Sequence, residues 1–155
     1  MLVKNFCSRD VATIEPGASL REAALAMRNR HVGSLIVVDA SRGAPRPVGV
    51  VTDRDIVVAV VAVPGARPEG IRVSDVLTRE AVVVHEDDDV FSAVQTMRQH
   101  GVRRLPVVAA DGTLFGVLTS DDVVKLVATE LGSLSTALRR SSERESTERT
   151  RLETP

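Results

Sequence analysis

The chain contains no tryptophan and no tyrosine, and only three phenylalanines, Phe6, Phe91 and Phe115. That leaves no aromatic platform on which the bases of a single nucleic acid strand could stack. A lone cysteine, Cys7, excludes an intramolecular disulfide and a cysteine-rich zinc site. Neither sign of charge is in excess. Twenty Lys and Arg face 21 Asp and Glu, for a net charge of −1, so no global field favours nucleic acid or an anionic membrane surface. Long hydrophobic runs are missing too. The longest, Ile56 to Val63, is too short to span a bilayer. No basic stretch followed by an apolar run marks the start of the chain, so no secretory signal is expected, and the expected location is the cytoplasm. No Ser/His/Asp or Cys/His arrangement can be argued, so the chain is not expected to be an enzyme.

The chain does contain a duplication. Met27-Arg28 and Met97-Arg98 stand 70 residues apart, and Leu20 to Val38 aligns with Val90 to Val108. Downstream, Gly49 to Asp55 (GVVTDRD) aligns with Gly116 to Asp122 (GVLTSDD) at an offset of 67, because the first copy has a longer loop, Ala40 to Pro47. A duplicated unit of this size predicts a pseudo-symmetric pair that shares one core and carries two equivalent clefts. The 155 residues, 43% apolar, suffice for one compact domain or two small halves.

Each copy reads as strand, helix, strand, strand, helix, an α/β (α+β) arrangement. In the first, Val11 to Ile14 is a strand stopped by Pro16-Gly17. Ser19 caps a helix with Glu22 completing a capping box, and Leu20, Ala23, Ala24 and Met27 share one face. Gly33 to Val38 and Val48 to Thr52 are strands. The β-branched segment Asp53 to Val63 could extend as a strand, but the Thr52/Asp55 start and the Pro64-Gly65 stop favour a helix. In the second copy, Ala81 to His85, Arg103 to Val108 and Leu114 to Leu118 are strands, the last two joined at Asp111-Gly112. Asp89 to Gln99 and Ser120 to Leu131 are helices, the latter ended by Gly132. Short helical lead-ins are expected at Lys4 to Cys7 and Ser74 to Leu77. The partition is 1–66 for the first repeat, 67–72 for a linker, 73–132 for the second repeat, and 133–155 for a polar tail, disordered or weakly helical.

This order, with Gly-aliphatic-aliphatic-Thr-x-x-Asp closing the third strand of each copy, resembles the cystathionine-β-synthase (CBS) domain. Two in tandem look like the CBS pair, or Bateman module, and the whole is similar to stand-alone bacterial CBS-pair proteins. The resemblance implies a regulatory module that binds AMP, ADP or ATP, or else NADH or S-adenosylmethionine, and signals to a protein partner that the sequence does not name. It implies phosphate contacts from Thr52 and Thr119 and ribose contacts from Asp55 and Asp122. It also implies a homodimer through the helices 53–63 and 120–131.

The chemistry is consistent with those roles. Free amides at a helix start attract phosphate, and a carboxylate one turn in can accept two hydrogen bonds from a vicinal diol. Arg54 beside Asp55 is a candidate to offset phosphate charge. In the second copy Ser120-Asp121 fills those positions, and Arg103 or Arg104 is the alternative cation. With almost no aromatics, the base would lie between aliphatic walls, with Ile14, Ile36, Val84 and Pro106 as candidates. Thr-x-x-Asp is equally a helix cap, worth about 0.3–1 kcal/mol through the dipole with no ligand at all; the resemblance favours binding. The His85-Glu86-Asp87-Asp88-Asp89 run is expected to be a solvated helix start, with no metal. The alternative to a sensor is a ligand-free structural or interaction dimer. The helix 53–63, apolar nearly all round, is expected to be buried on every side, within the monomer or against a second subunit.

Overall fold

A computed structural model describes residues 1–41, 43–77 and 80–152, with side chains through 144 apart from 142. It divides into a compact unit, Met1–Ser120, and a second unit, Asp121–Pro155. The first unit holds two three-stranded sheets of the same design. In one, β1 (Thr13–Ile14) runs parallel to β2 (Ser34–Asp39), which is antiparallel to β3 (Arg46–Thr52). In the other, β4 (Val84–His85), β5 (Arg104–Val108) and β6 (Leu114–Thr119) repeat the order and the directions.

The duplication is kept residue by residue. Ser34 pairs with Thr52 and Arg104 with Thr119; Val37 pairs with Gly49 and Val107 with Gly116. The register shifts at Val37/Val38 in one sheet and at Val107/Val108 in the other, so even the bulge is repeated. The helices α1 (Leu20–Arg30) and α4 (Val90–His100) bury Leu20, Ala23, Met27 and Val90, Ala93, Met97 respectively. The Ser19 capping box is formed: Glu22 N–H donates to Ser19 Oγ at 3.2 Å, and Ser19 N–H to Glu22 Oε2 at 2.7 Å. Asp89 caps α4 by accepting from Phe91 N–H at 2.9 Å. Between β5 and β6, Asp111 accepts from Thr113 N–H at 3.0 Å, and Gly112 takes a left-handed φ of 81°.

The two copies exchange their lead-ins. The 3₁₀ turn Val3–Asn5 packs on the second copy, with Val3 N–H donating to Asp88 O at 2.8 Å and Lys4 N–H to Glu86 O at 2.9 Å. Ser8 and Val117 exchange two backbone bonds, each 2.9 Å. Conversely α3 (Val73–Val76) packs on the first copy. Val73 N–H donates to Ala18 O at 2.8 Å, and Ala81 N–H to Val48 O at 3.2 Å. Val3 and Val73, 70 residues apart, are both fully buried, which contributes roughly 1.5–3 kcal/mol each. The first-copy core gathers Leu20, Met27, Leu35, Val37 and Val51 around Val73.

Two expectations are corrected. The segment after Thr52 is helical, one α turn, α2 (Asp53–Ile56), continued by a π-helical stretch, Val57–Val61. Within the single chain one face stays open: Val58 is 56% and Val61 76% exposed, because a helix over a three-stranded sheet can turn only one face to it, so of the two expected coverings the one within the monomer is not met. Ala59 and Val60 are the part that packs on the first core. Second, Gly132 does not end the last helix. α5 runs from Ser120 to Leu152, since a glycine inside a helix costs only about 1 kcal/mol and no proline follows before Pro155. The tail takes the helical of its two expected forms as far as Leu152, with an Arg139–Glu143 pair one turn apart, while 153–155 lie outside the described residues. Val124, Val127, Leu131, Leu134 and Leu138 are exposed along α5.

Candidate functional site

At the end of β3, Thr52 and Asp55 engage each other. Asp55 N–H donates to Thr52 Oγ1 at 3.3 Å, and the Thr52 N–H and hydroxyl both donate to Asp55 Oδ2, at 2.8 and 2.7 Å. The box starts α2 and fixes the Asp55 carboxylate in a half-buried position. Both bonds fall on one oxygen; among the described residues Oδ1 accepts none.

Two cavities flank the paired sheets, and each is built from both copies. The first, about 190 Å³, takes Val50 and Asp55 from the first copy and Ala81, Val82, Val102 and Arg104 from the second, with His100, Leu77 and Glu80 at its sides. The second, about 300 Å³, takes Val117 and Thr119 from the second copy and Val11, Ala12, Val32 and Ser34 from the first, with Asp10, His31 and Ile36. Under the duplication Val50 corresponds to Val117, Ala81 to Val11, Val82 to Ala12, Val102 to Val32 and Arg104 to Ser34. The cavities are therefore pseudo-symmetric counterparts. Each sets the outgoing strand of one copy against the incoming strands of the other, a direct product of the exchanged lead-ins.

Of the residues predicted for binding, Asp55 lines the first cavity, and Thr119 and Ile36 line the second. Thr52 is committed to its cap and is not part of either lining. Arg54 is exposed, its N–H donating to Asp53 Oδ1 at 2.8 Å, and its side chain lines neither cavity. Asp122 lies in the first turn of α5. Ile14 packs against the first core, while Val84 and Pro106 are buried; none of the three lines these cavities. The cation that does line them is Arg104, common to both. Arg103 is exposed, and its carbonyl accepts from Ser120 N–H at 2.9 Å, as Gly33 O accepts from Asp53 N–H at 3.0 Å. A side chain at Gly33 would meet the Asp53 carboxylate at 3.2 Å, and the second copy, with Ser120 in place of Asp53, has room for Arg103.

The walls Val11-Ala12, Ala81-Val82, Val32 and Val102 were not among the predicted residues. A signal existed in their correspondence between repeats, but nothing in the sequence shows that a wall of one cavity comes from the other copy. The acidic run before α4 is spent locally: His85 N–H donates to Asp88 Oδ2 at 2.7 Å, and Asp87 pairs with Lys4 at 2.7 Å. Among the described residues no group of three His, Cys, Asp or Glu could hold a metal.

The profile of the CBS domain matches residues 3–62 and 73–129, most of the chain. The chain belongs to the CBS-domain family. As a CBS pair it is 34% identical over 124 residues to the uncharacterized protein MK0525 of Methanopyrus kandleri, covering 80% of this chain and 61% of that one. This chain thus spans under two thirds of that relative's length. Among solved structures it is similar to the CBS domain pair of protein MJ0100 in complex with 5′-methylthioadenosine and S-adenosylmethionine. The TM-score is 0.69 at 26% identity, covering 84% of this chain and 98% of that one. The cytosolic domain of the Mg²⁺ channel MgtE in complex with ATP matches at a TM-score of 0.65 and 25% identity, over 78% of this chain and 46% of that one. In this chain, among the described residues, no helix is long and apolar enough to cross a membrane.

Proposed function

We propose that the chain is a regulatory CBS pair that binds an adenine nucleotide of the AMP, ADP or ATP type in its two cavities and passes the occupancy on to a protein partner in the cytoplasm, without catalysing a reaction. The observation that carries this is the pair of composite cavities. A ligand seated in either would touch both copies, so binding changes the free energy of holding them together. The ATP complex of one structural relative and the S-adenosylmethionine complex of another support an adenine-containing ligand. Asp55 supplies the ribose acceptor, with Asp122 its sequence counterpart, and Thr119 with Arg104 supplies phosphate contacts. NADH and S-adenosylmethionine are the alternative ligands. The exposed valines of the Val57–Val61 stretch and the apolar stripe of α5 support a homodimer, each such side chain contributing roughly 1.5–3 kcal/mol when covered.

A second reading, a ligand-free interaction dimer, draws support from the Thr52–Asp55 box, since a carboxylate that already accepts two hydrogen bonds has a purely structural use. A thermal-shift panel of AMP, ADP, ATP, NADH and S-adenosylmethionine separates the two. Stabilisation by at least one supports the sensor, growing with the logarithm of ligand concentration over Kd. No shift with any of the five favours the interaction dimer.

A further inference from the structure

We propose that Arg104 makes the two cavities chemically unequal: it favours an anionic nucleotide in the Thr119 cavity, while the Asp55 cavity binds that nucleotide more weakly and prefers an uncharged or cationic nucleoside. This rests on the adenine-nucleotide reading and goes further, assigning a ligand class to each site.

The duplication is broken at one functional position. Ser34 pairs with Thr52 where Arg104 pairs with Thr119. A single cation therefore stands where symmetry would supply two or none. Its side chain borders both cavities, and among the described residues no carboxylate lies within ion-pairing distance of it. The surroundings decide which way it serves. The Asp55 cavity is faced by two carboxylates, Asp55 and Glu80, with His100 the other titratable group. Neither carboxylate has an ion-pair partner among the described residues. The Thr119 cavity is faced by one carboxylate, Asp10, already paired with Arg30, and by His31. Counting carboxylates and guanidiniums alone, the first cavity carries one net negative charge with Arg104 included, whereas in the second Asp10 is balanced by Arg30 and Arg104 is left in excess. A phosphate entering the first meets two carboxylates without an ion-pair partner among the described residues; entering the second, it meets a guanidinium, Thr119 and an acid already paired with Arg30.

Sharing adds a coupling. A guanidinium engaged by a phosphate in one cavity is withdrawn from the other, so the first nucleotide weakens binding of a second, while an uncharged nucleoside is unaffected. The residue thus acts as a selector between nucleotide and nucleoside.

The test is calorimetric titration of the full chain with AMP and with adenosine, for the wild type, Arg104→Ser, Arg104→Lys and Glu80→Gln. In the wild type, AMP is expected to fill one tight site and to bind the second at least about tenfold more weakly, and adenosine still binds AMP-loaded protein. Arg104→Ser, which installs the residue of the first copy, loses the preference for AMP over adenosine by roughly tenfold or more, as expected for one charge-assisted hydrogen bond, and Arg104→Lys keeps part of it. Glu80→Gln, a change at an exposed side chain, strengthens the weaker AMP site and so tests the charge balance independently of any effect on folding at Arg104. Equal AMP affinities at both sites, an unchanged AMP preference in Arg104→Ser, or an unchanged weak site in Glu80→Gln overturns the assignment while the nucleotide reading stands. Binding of neither AMP nor adenosine to the wild type removes the nucleotide reading and the assignment with it.

Discussion

Replacing Gly116 by alanine probes the exchanged lead-ins that build both cavities. A Cβ at Gly116 would lie 2.6 Å from the Ser8 carbonyl oxygen and 3.0 Å from Cys7 Sγ. The obstacle is backbone, and that backbone is held by two bonds between Ser8 and Val117, each 2.9 Å. Relieving the clash means moving the lead-in off β6. The loss of two hydrogen bonds at about 0.5–1.5 kcal/mol each amounts to about 1–3 kcal/mol, from which a gain of about 0.4–1 kcal/mol in the unfolded chain is subtracted for any Gly→Ala change. The equivalent Gly49→Ala places its Cβ 2.8 Å from Leu77 Cδ2, the free end of a side chain that can rotate away, so a net cost below about 1 kcal/mol is expected. Urea unfolding followed by circular dichroism reads both, with the slope m held in common. Gly116→Ala is expected to lower the midpoint clearly more than Gly49→Ala does. Equal midpoints, or a more damaging Gly49→Ala, would refute the claim that the first lead-in is clamped on the second copy's outgoing strand.

Glu22 provides a pH test. The Ser19 backbone N–H, then its hydroxyl, hold the Glu22 carboxyl below its ordinary range. A folded value below the unfolded one means stability present above about pH 4 and lost as the pH falls through the folded value. Glu22→Gln, which can still accept in the box, should flatten the acid limb of an unfolding titration and leave the neutral plateau little changed; an unaltered acid limb would show that the bond carries no linkage. At Val61, 76% exposed on the π-helical stretch, Val61→Asp should leave unfolding of dilute protein within about 0.5 kcal/mol of the parent while lowering the sedimentation coefficient at higher concentration. Unchanged sedimentation would exclude this face from any dimer contact.

Much of the fold was legible because the chain states it twice. Each ambiguous segment could be judged against its repeat. The β-branched run after Thr52 reads as a strand by propensity alone, and its match to the segment after Thr119 makes it a helix. The capping box at Ser19 and the turn at Asp111-Gly112 were local signals and formed as expected. What the sequence did not reveal was relational. The exchange of lead-ins depends on close approaches at Gly49 and Gly116; the two glycines mark in the sequence where a neighbour could come close, but not that the neighbours are Leu77 and Ser8 of the lead-ins. The same exchange moved the walls of each cavity to the opposite copy, so Val11-Ala12 and Ala81-Val82 line cavities where Ile14 and Val84, two to three residues on, do not. Of the cations the sequence offered, Arg54 is next to Asp55 in the chain but lines neither cavity, whereas Arg104, the alternative, lines the Asp55 cavity. The reach of α5 was underestimated because Gly132 reads as a stop, whereas a helix already nucleated over three turns loses little by passing through one glycine.

Calorimetric titration of the full chain with AMP, ADP and ATP, alongside the double variant Asp55→Ala/Asp122→Ala, tests the twin nucleotide cavities most directly. Saturable binding by the parent, lost in the double variant with its unfolding transition intact, is the expected result. Undiminished heat in the double variant, or none in the parent with any of the three, would contradict it.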